Sequence, residues 1–104
     1  MPYVSVRIRL FTPSEGGRSN PVKSGYRPLA HFGEKKDGVA VYHGFELRLV
    51  DREWLEPGET AQVRLVPFHP ELWPARMMGD RVRIYEGPNH VGDAYIESPH
   101  LDDP

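Results

Sequence analysis

The sequence predicts an all-β fold, a small closed antiparallel β-barrel of about six strands. Three observations predict it. Eleven prolines and ten glycines in 104 residues cut the chain into segments too short for ordinary helices. Val4, Val6, Ile8 and Leu10 alternate with Ser5, Arg7 and Arg9, the period of two that belongs to a half-buried strand. Runs of the same period recur between turn signals, and a barrel whose inward positions are the alternating apolar ones buries them in one core.

Taken in order, Val4 to Leu10 is the first strand, with Arg7 and Arg9 on its solvent face. Thr12-Pro13-Ser14-Glu15 ends it and enters a loop of prescribed shape, Gly16 to Phe32. Gly16-Gly17 allows a sharp turn, Pro21 stiffens the loop, and Pro28 drives Arg27 toward extended geometry. Tyr26 to Phe32 reads as the second strand. Gly33 to Gly38 is a charged turn in which Asp37-Gly38 signals a hairpin, and Val39 and Val41 alternate with Ala40 and Tyr42. Gly44 suggests a bulge or a second hairpin before Phe45, Leu47 and Leu49 alternate with Glu46 and Arg48.

Asp51 to Pro57 suits one helical turn, capped by Asp51, with Trp54-Leu55 packed inward. Ala61, Val63 and Leu65 form another strand. Pro67 to Pro74 is too proline-rich for a regular element, and its Phe68, Leu72 and Trp73 are placed over an end of the barrel. Val82 and Ile84 alternate with Arg81, Arg83 and Tyr85; Gly87-Pro88-Asn89 turns the chain, and Val91 to Ile96 returns. The reading is one domain over residues 1–98, followed by an acidic, frayed tail at 99–104.

A formal net charge of −2 argues against a general polyanion binder. The absence of cysteine excludes a disulfide framework, cysteine-based zinc sites and a cysteine nucleophile. No apolar run approaches the roughly 20 residues of a membrane span, and Met1-Pro2-Tyr3 opens no signal peptide. The expectation is a soluble, cytoplasmic protein that does not engage a membrane.

Motifs for chemistry are sparse. No G-x-x-x-x-G-K-[ST] loop occurs, so nucleotide binding is not expected. His31, His43, His69, His90 and His100 are too dispersed for a local metal motif; His69-Pro70-Glu71 lacks the cysteines that a zinc deaminase needs. Ser24 has no nucleophile-elbow context. Glu86 and Asp93 can approach across a hairpin, but cross-strand solubility charges explain them better than an acid–base pair. No catalytic residue, cofactor or metal ligand is assigned, and the protein reads as a non-enzyme. Arg18, Lys23, Tyr26 and Arg27 form the one basic–aromatic cluster, which suits either RNA or an internal stack and ion pair. Trp54, Phe68 and Trp73 offer either a partner platform or satellite core.

Gly-Gly-Arg at 16–18, Pro21 and Gly-Tyr-Arg-Pro at 25–28 are followed by Pro57-Gly58-Glu59 before a strand. Arg81 to Gly87 and Val91-Gly92 complete the series. In this order they resemble the C-terminal β-barrel (domain 3) of bacterial elongation factor Tu, from Val4 to Ser98, with an insertion near Gly44. The resemblance implies a binding role in or near translation, since that barrel contacts the T-stem backbone of aminoacyl-tRNA and also binds protein partners. The family's GTPase half has no counterpart. The candidate binding residues are Gly16, Gly17, Arg18, Lys23, Tyr26, Arg27, Glu86 and Gly87. Tyr26 is expected to be largely buried and Arg27 to pair with Glu86, leaving Arg18 and Lys23 for a ligand. Leu29 stands where the family has a glutamine, and Tyr85 and Asn89 replace two arginines of the last hairpin. Pro88 removes a backbone donor. RNA binding is therefore expected to be weaker and differently placed than in elongation factor Tu, which ranks a protein-interaction module without RNA close behind.

Overall fold

A computed structural model describes the backbone of residues 1–102 and the side chains of residues 1–98 and 101. The strands in chain order are β1 (Tyr3–Leu10), β2 (Val22–Lys23), β3 (Leu29–His31), β4 (Lys35–Lys36), β5 (Val39–Ala40), β6 (His43–Leu49), β7 (Trp54–Leu55), β8 (Thr60–Pro67), β9 (Arg81–Glu86) and β10 (Asn89–Asp102). Six of them close an antiparallel barrel in the order β1-β10-β9-β3-β6-β8, with β8 returning to β1. The all-β barrel predicted from the alternation is therefore the fold observed. No helix of the described residues is long and apolar enough to cross a membrane.

The alternation builds the core directly. Val4, Val6, Ile8 and Leu10 are fully buried, and across β1 Val6 faces Val63 and Ile96 while Ile8 faces Ala61 and Ala94. Phe45, Leu47, Leu65, Val82 and Ile84 complete the interior. Each large apolar side chain taken fully from water contributes about 1.5–3 kcal/mol.

Two small sheets lie outside the barrel. β4 and β5 form a hairpin about Asp37 and Gly38, whose φ angles of 53° and 80° are both positive, as a type I′ turn requires. β2 pairs with β7, Val22 opposite Leu55 and Lys23 opposite Trp54.

Several elements differ from the sequence reading. The helical turn expected at Asp51–Pro57 is instead strand β7, because Leu55 is drawn inward beside Val22 by a partner distant in sequence. Gly44 makes no bulge; it lies within β6, where an added Cβ would sit 2.8 Å from the Phe68 ring. The Tyr26–Phe32 strand is regular only at Leu29–His31, although Leu47 N–H donates to the Tyr26 carbonyl at 2.8 Å, so residues 25–28 still run beside β6. Of the three residues expected over a barrel end, Trp73 is 7% exposed but Phe68 and Leu72 are 43% and 62% exposed. Residues 99–102 are strand rather than frayed tail, with Tyr3 paired to Asp102; the rest of the expected tail, 103–104, lies outside the described residues.

Candidate binding site

The loop after β1 is fixed at its start. Thr12 N–H donates to Glu15 Oε1 at 2.9 Å, and Arg9 Nη2 donates to the same oxygen at 2.9 Å. The Arg9 hydrogen bond, with the two from Thr12, lowers the Glu15 carboxyl to about 2. Gly16 turns the chain with φ 93°. Gly17 presses on β1's exit: a Cβ there would lie 2.1 Å from the Phe11 carbonyl oxygen, which only glycine permits.

This turn delivers Arg18 to the end of β9. Arg18 Nη1 pairs with Glu86 Oε1, and Tyr26 O–H donates to that same oxygen at 2.6 Å. The Arg18 guanidinium also lies over the Tyr26 ring, 4.9 Å from its centroid. Gly87, with φ 58°, starts the two-residue turn that ends β9 just beyond Glu86. The Tyr26 hydrogen bond, followed by the Arg18 pair, holds the Glu86 carboxyl below its ordinary range against partial burial. Burial first, then the bond to Glu86, raises the Tyr26 hydroxyl.

Three expectations are corrected here. Glu86 pairs with Arg18, not Arg27, and Tyr26 is partly rather than largely buried. Arg27 is 67% exposed, 3.5 Å from Glu46, and lies over Phe68. The cause is strand alternation: with Tyr26 turned toward β9, its neighbour Arg27 must turn away. Arg18, expected to be available to a ligand, is committed to the fold. Lys23 stays exposed on β2, its ammonium 5.4 Å from the centroid of Trp54, which is 45% exposed. Glu86 and Asp93 do not form an acid–base pair; Asp93 is held by Arg81 and His90, each at 2.8 Å.

Two grooves meet at Ser24. One, of about 400 Å³, is floored by Pro21, Val22 and Gly25 and edged by Arg18, Lys23, Tyr26 and Trp54. The other, of about 470 Å³, runs past Tyr3, Arg48, Leu49, Val50 and Arg64. Among the described side chains no carboxylate lines either groove. Arg48 and Arg64 are directly opposite each other across β6 and β8, a placement of like charges that costs stability unless an anion is near. Glu46 answers Arg48. Arg64 lies 4.4 Å from the centroid of Tyr3 and has no carboxylate partner among the described side chains.

Sequence reasoning found Lys23 and Trp54 but missed Tyr3, Arg48 and Arg64. Their only sequence signal is outward phase on strands; which outward residues meet depends on register. Among the described residues no three histidines, aspartates or glutamates gather to hold a metal ion. The sequence matches no protein-family model and none of the curated proteins compared with it.

Proposed function

We propose that this protein is a non-catalytic, cytoplasmic binding module that takes single-stranded or backbone-exposed RNA along the joined grooves. We further propose that it is a free-standing barrel of the elongation factor Tu domain 3 kind, working in or near translation. One observation carries the RNA reading: two grooves that meet at Ser24 are lined by three aromatic rings and four cations, of which Lys23 and Arg64 have no carboxylate partner among the described side chains, in a chain of net charge −2. Cations that meet phosphates beside rings on which bases stack are the chemistry of sequence-tolerant RNA binding. The track lies at Lys23, Trp54, Tyr3 and Arg64; at the last hairpin Tyr85, Pro88 and Asn89 offer no cation.

A protein partner is the second reading. It is favoured by Phe68, Leu72, Met77 and Met78, which are 43%, 62%, 73% and 74% exposed along one proline-rich connection.

The experiment is fluorescence anisotropy of tRNA and of a short single-stranded RNA, measured against salt for the wild type and a Lys23→Gln, Arg64→Gln double variant. Removing one cation that meets a phosphate should flatten the slope of log affinity on log salt by roughly 0.7 for a single strand. Wild-type binding without salt dependence, or a double variant that binds like the wild type, would discard the RNA reading. A Leu72→Ser, Met78→Ser variant that keeps RNA binding but loses a co-purifying protein would support the second reading.

A further inference from the structure

A separate pocket lies at the opposite end of β9. Arg81 and Arg83 alternate with the buried Val82 and Ile84, so both leave the same face of the strand, roughly 7 Å apart along it. Register sets His31 of β3 opposite Arg83 on one side and Asp93 of β10 opposite it on the other. His31, Phe32, Gly33, Arg81 and Arg83 enclose about 180 Å³.

Of the two guanidiniums, only Arg81 is held by a carboxylate. Asp93 divides its oxygens between Arg81 and His90, each at 2.8 Å. Arg83 has no ion pair among the described residues. Glu34 and Asp80 border an adjoining hollow that shares Phe32 and Arg81, but both are engaged: Glu34 with His43, and Asp80 by the Met77 N–H at 2.8 Å. His31 Nδ1 lies 2.9 Å from the Val41 carbonyl, which only accepts, so Nδ1 carries the hydrogen and Nε2 keeps no protein partner among the described residues. At Gly33 no atom lies within 4 Å of where a side chain would begin, which keeps the mouth open.

We propose that this pocket binds a phosphate monoester, with Arg83 as its forked, bidentate ligand and Arg81 as its second cation. A guanidinium fork matches two phosphate oxygens in geometry as well as charge. The pocket is smaller than the about 300–1,000 Å³ of ordinary small-molecule sites, so it takes the phosphate head and leaves the esterified group outside. That group is either a small molecule or the end of a nucleic-acid strand. None of the pocket's residues lines the grooves, so this site stands or falls independently of RNA binding there.

The test is an NMR titration of the ¹⁵N-labelled protein with inorganic phosphate, repeated with chloride at equal ionic strength. Saturable shifts centred on residues 31–33 and 81–83 are expected with phosphate and not with chloride. Arg83→Gln should weaken binding at least tenfold, Arg83→Lys should weaken it less, and Arg7→Gln should leave it unchanged. Shifts centred elsewhere, an equal response to chloride, or binding that survives both Arg83 variants overturns the site. A 5′-phosphorylated oligonucleotide that binds more tightly than its unphosphorylated twin, through these same residues, supports a strand end as the source. Phosphate binding with no difference between the twins supports a small phosphate ester.

Discussion

Tyr26 O–H donates to Glu86 Oε1 at 2.6 Å across 60 positions of sequence, and Arg18 closes on the same oxygen from the loop before it. One carboxylate oxygen thus ties the glycine-rich loop, the segment entering β3 and the end of β9. Tyr26→Phe should cost about 1–2 kcal/mol, the ordinary size for a hydrogen bond to a charged acceptor near the surface. A double-mutant cycle with Glu86→Ala, followed by urea unfolding, should return a favourable coupling between the two residues. Additive costs would show that the hydrogen bond contributes nothing.

The same group makes stability fall at both extremes of pH. Glu86 has a folded value below 4.5, so the unfolded chain takes up its proton first as pH drops. Its contribution is complete above 4.5 and is lost as pH falls through the lower folded value. Tyr26 has a folded value above 10.0, so the unfolded chain releases its proton first as pH rises. That contribution is complete below 10.0 and is lost on going higher. Thermal melts should decline on both flanks, and Tyr26→Phe should blunt the alkaline decline specifically.

Arg27→Ala should cost less than about 1 kcal/mol, as exposed ion pairs do. Arg18→Ala should cost more, because it takes both a charge and a stacked guanidinium from a partly buried cluster. Equal melting points for the two variants would contradict this ranking.

Gly17→Ala should cost about 2 kcal/mol or more, since the new carbon meets backbone that cannot withdraw. Gly44→Ala meets only the ring of Phe68, which is exposed and can swing aside, so it should cost about 1 kcal/mol or less. Parallel chemical denaturation of the two variants decides the order.

The barrel was legible because β1, β6, β8 and β9 each carry their burial as a plain alternation of side chains. β7 was not, since two residues that pair only with β2 leave no periodic trace, and Asp51 ahead of them looked like a cap. The latch was half legible. The adjacency of β3 and β9 was expected only from the resemblance that Gly25-Tyr26-Arg27-Pro28 and Glu86-Gly87 carry, and nothing local says which of two nearby arginines reaches the carboxylate. Strand phase decides it, and phase is set by the direction in which Tyr26 turns. The facing of Arg48 and Arg64 is likewise a matter of register, which one sequence does not state.

The barrel's seam joins its first strand to its last: Val6 pairs with Ile96 and Arg9 with Asp93. No shorter N-terminal stretch can close the ring, so β1 must wait with one edge unpaired until β10 emerges from the ribosome. Folding then has to bring together the chain's most distant segments before their contacts offset the entropy of closing the loop. The barrel should consequently form only once β10 is free to pair, in milliseconds to seconds and in one cooperative step, and until then the waiting edge of β1 is the place most open to pairing with another chain.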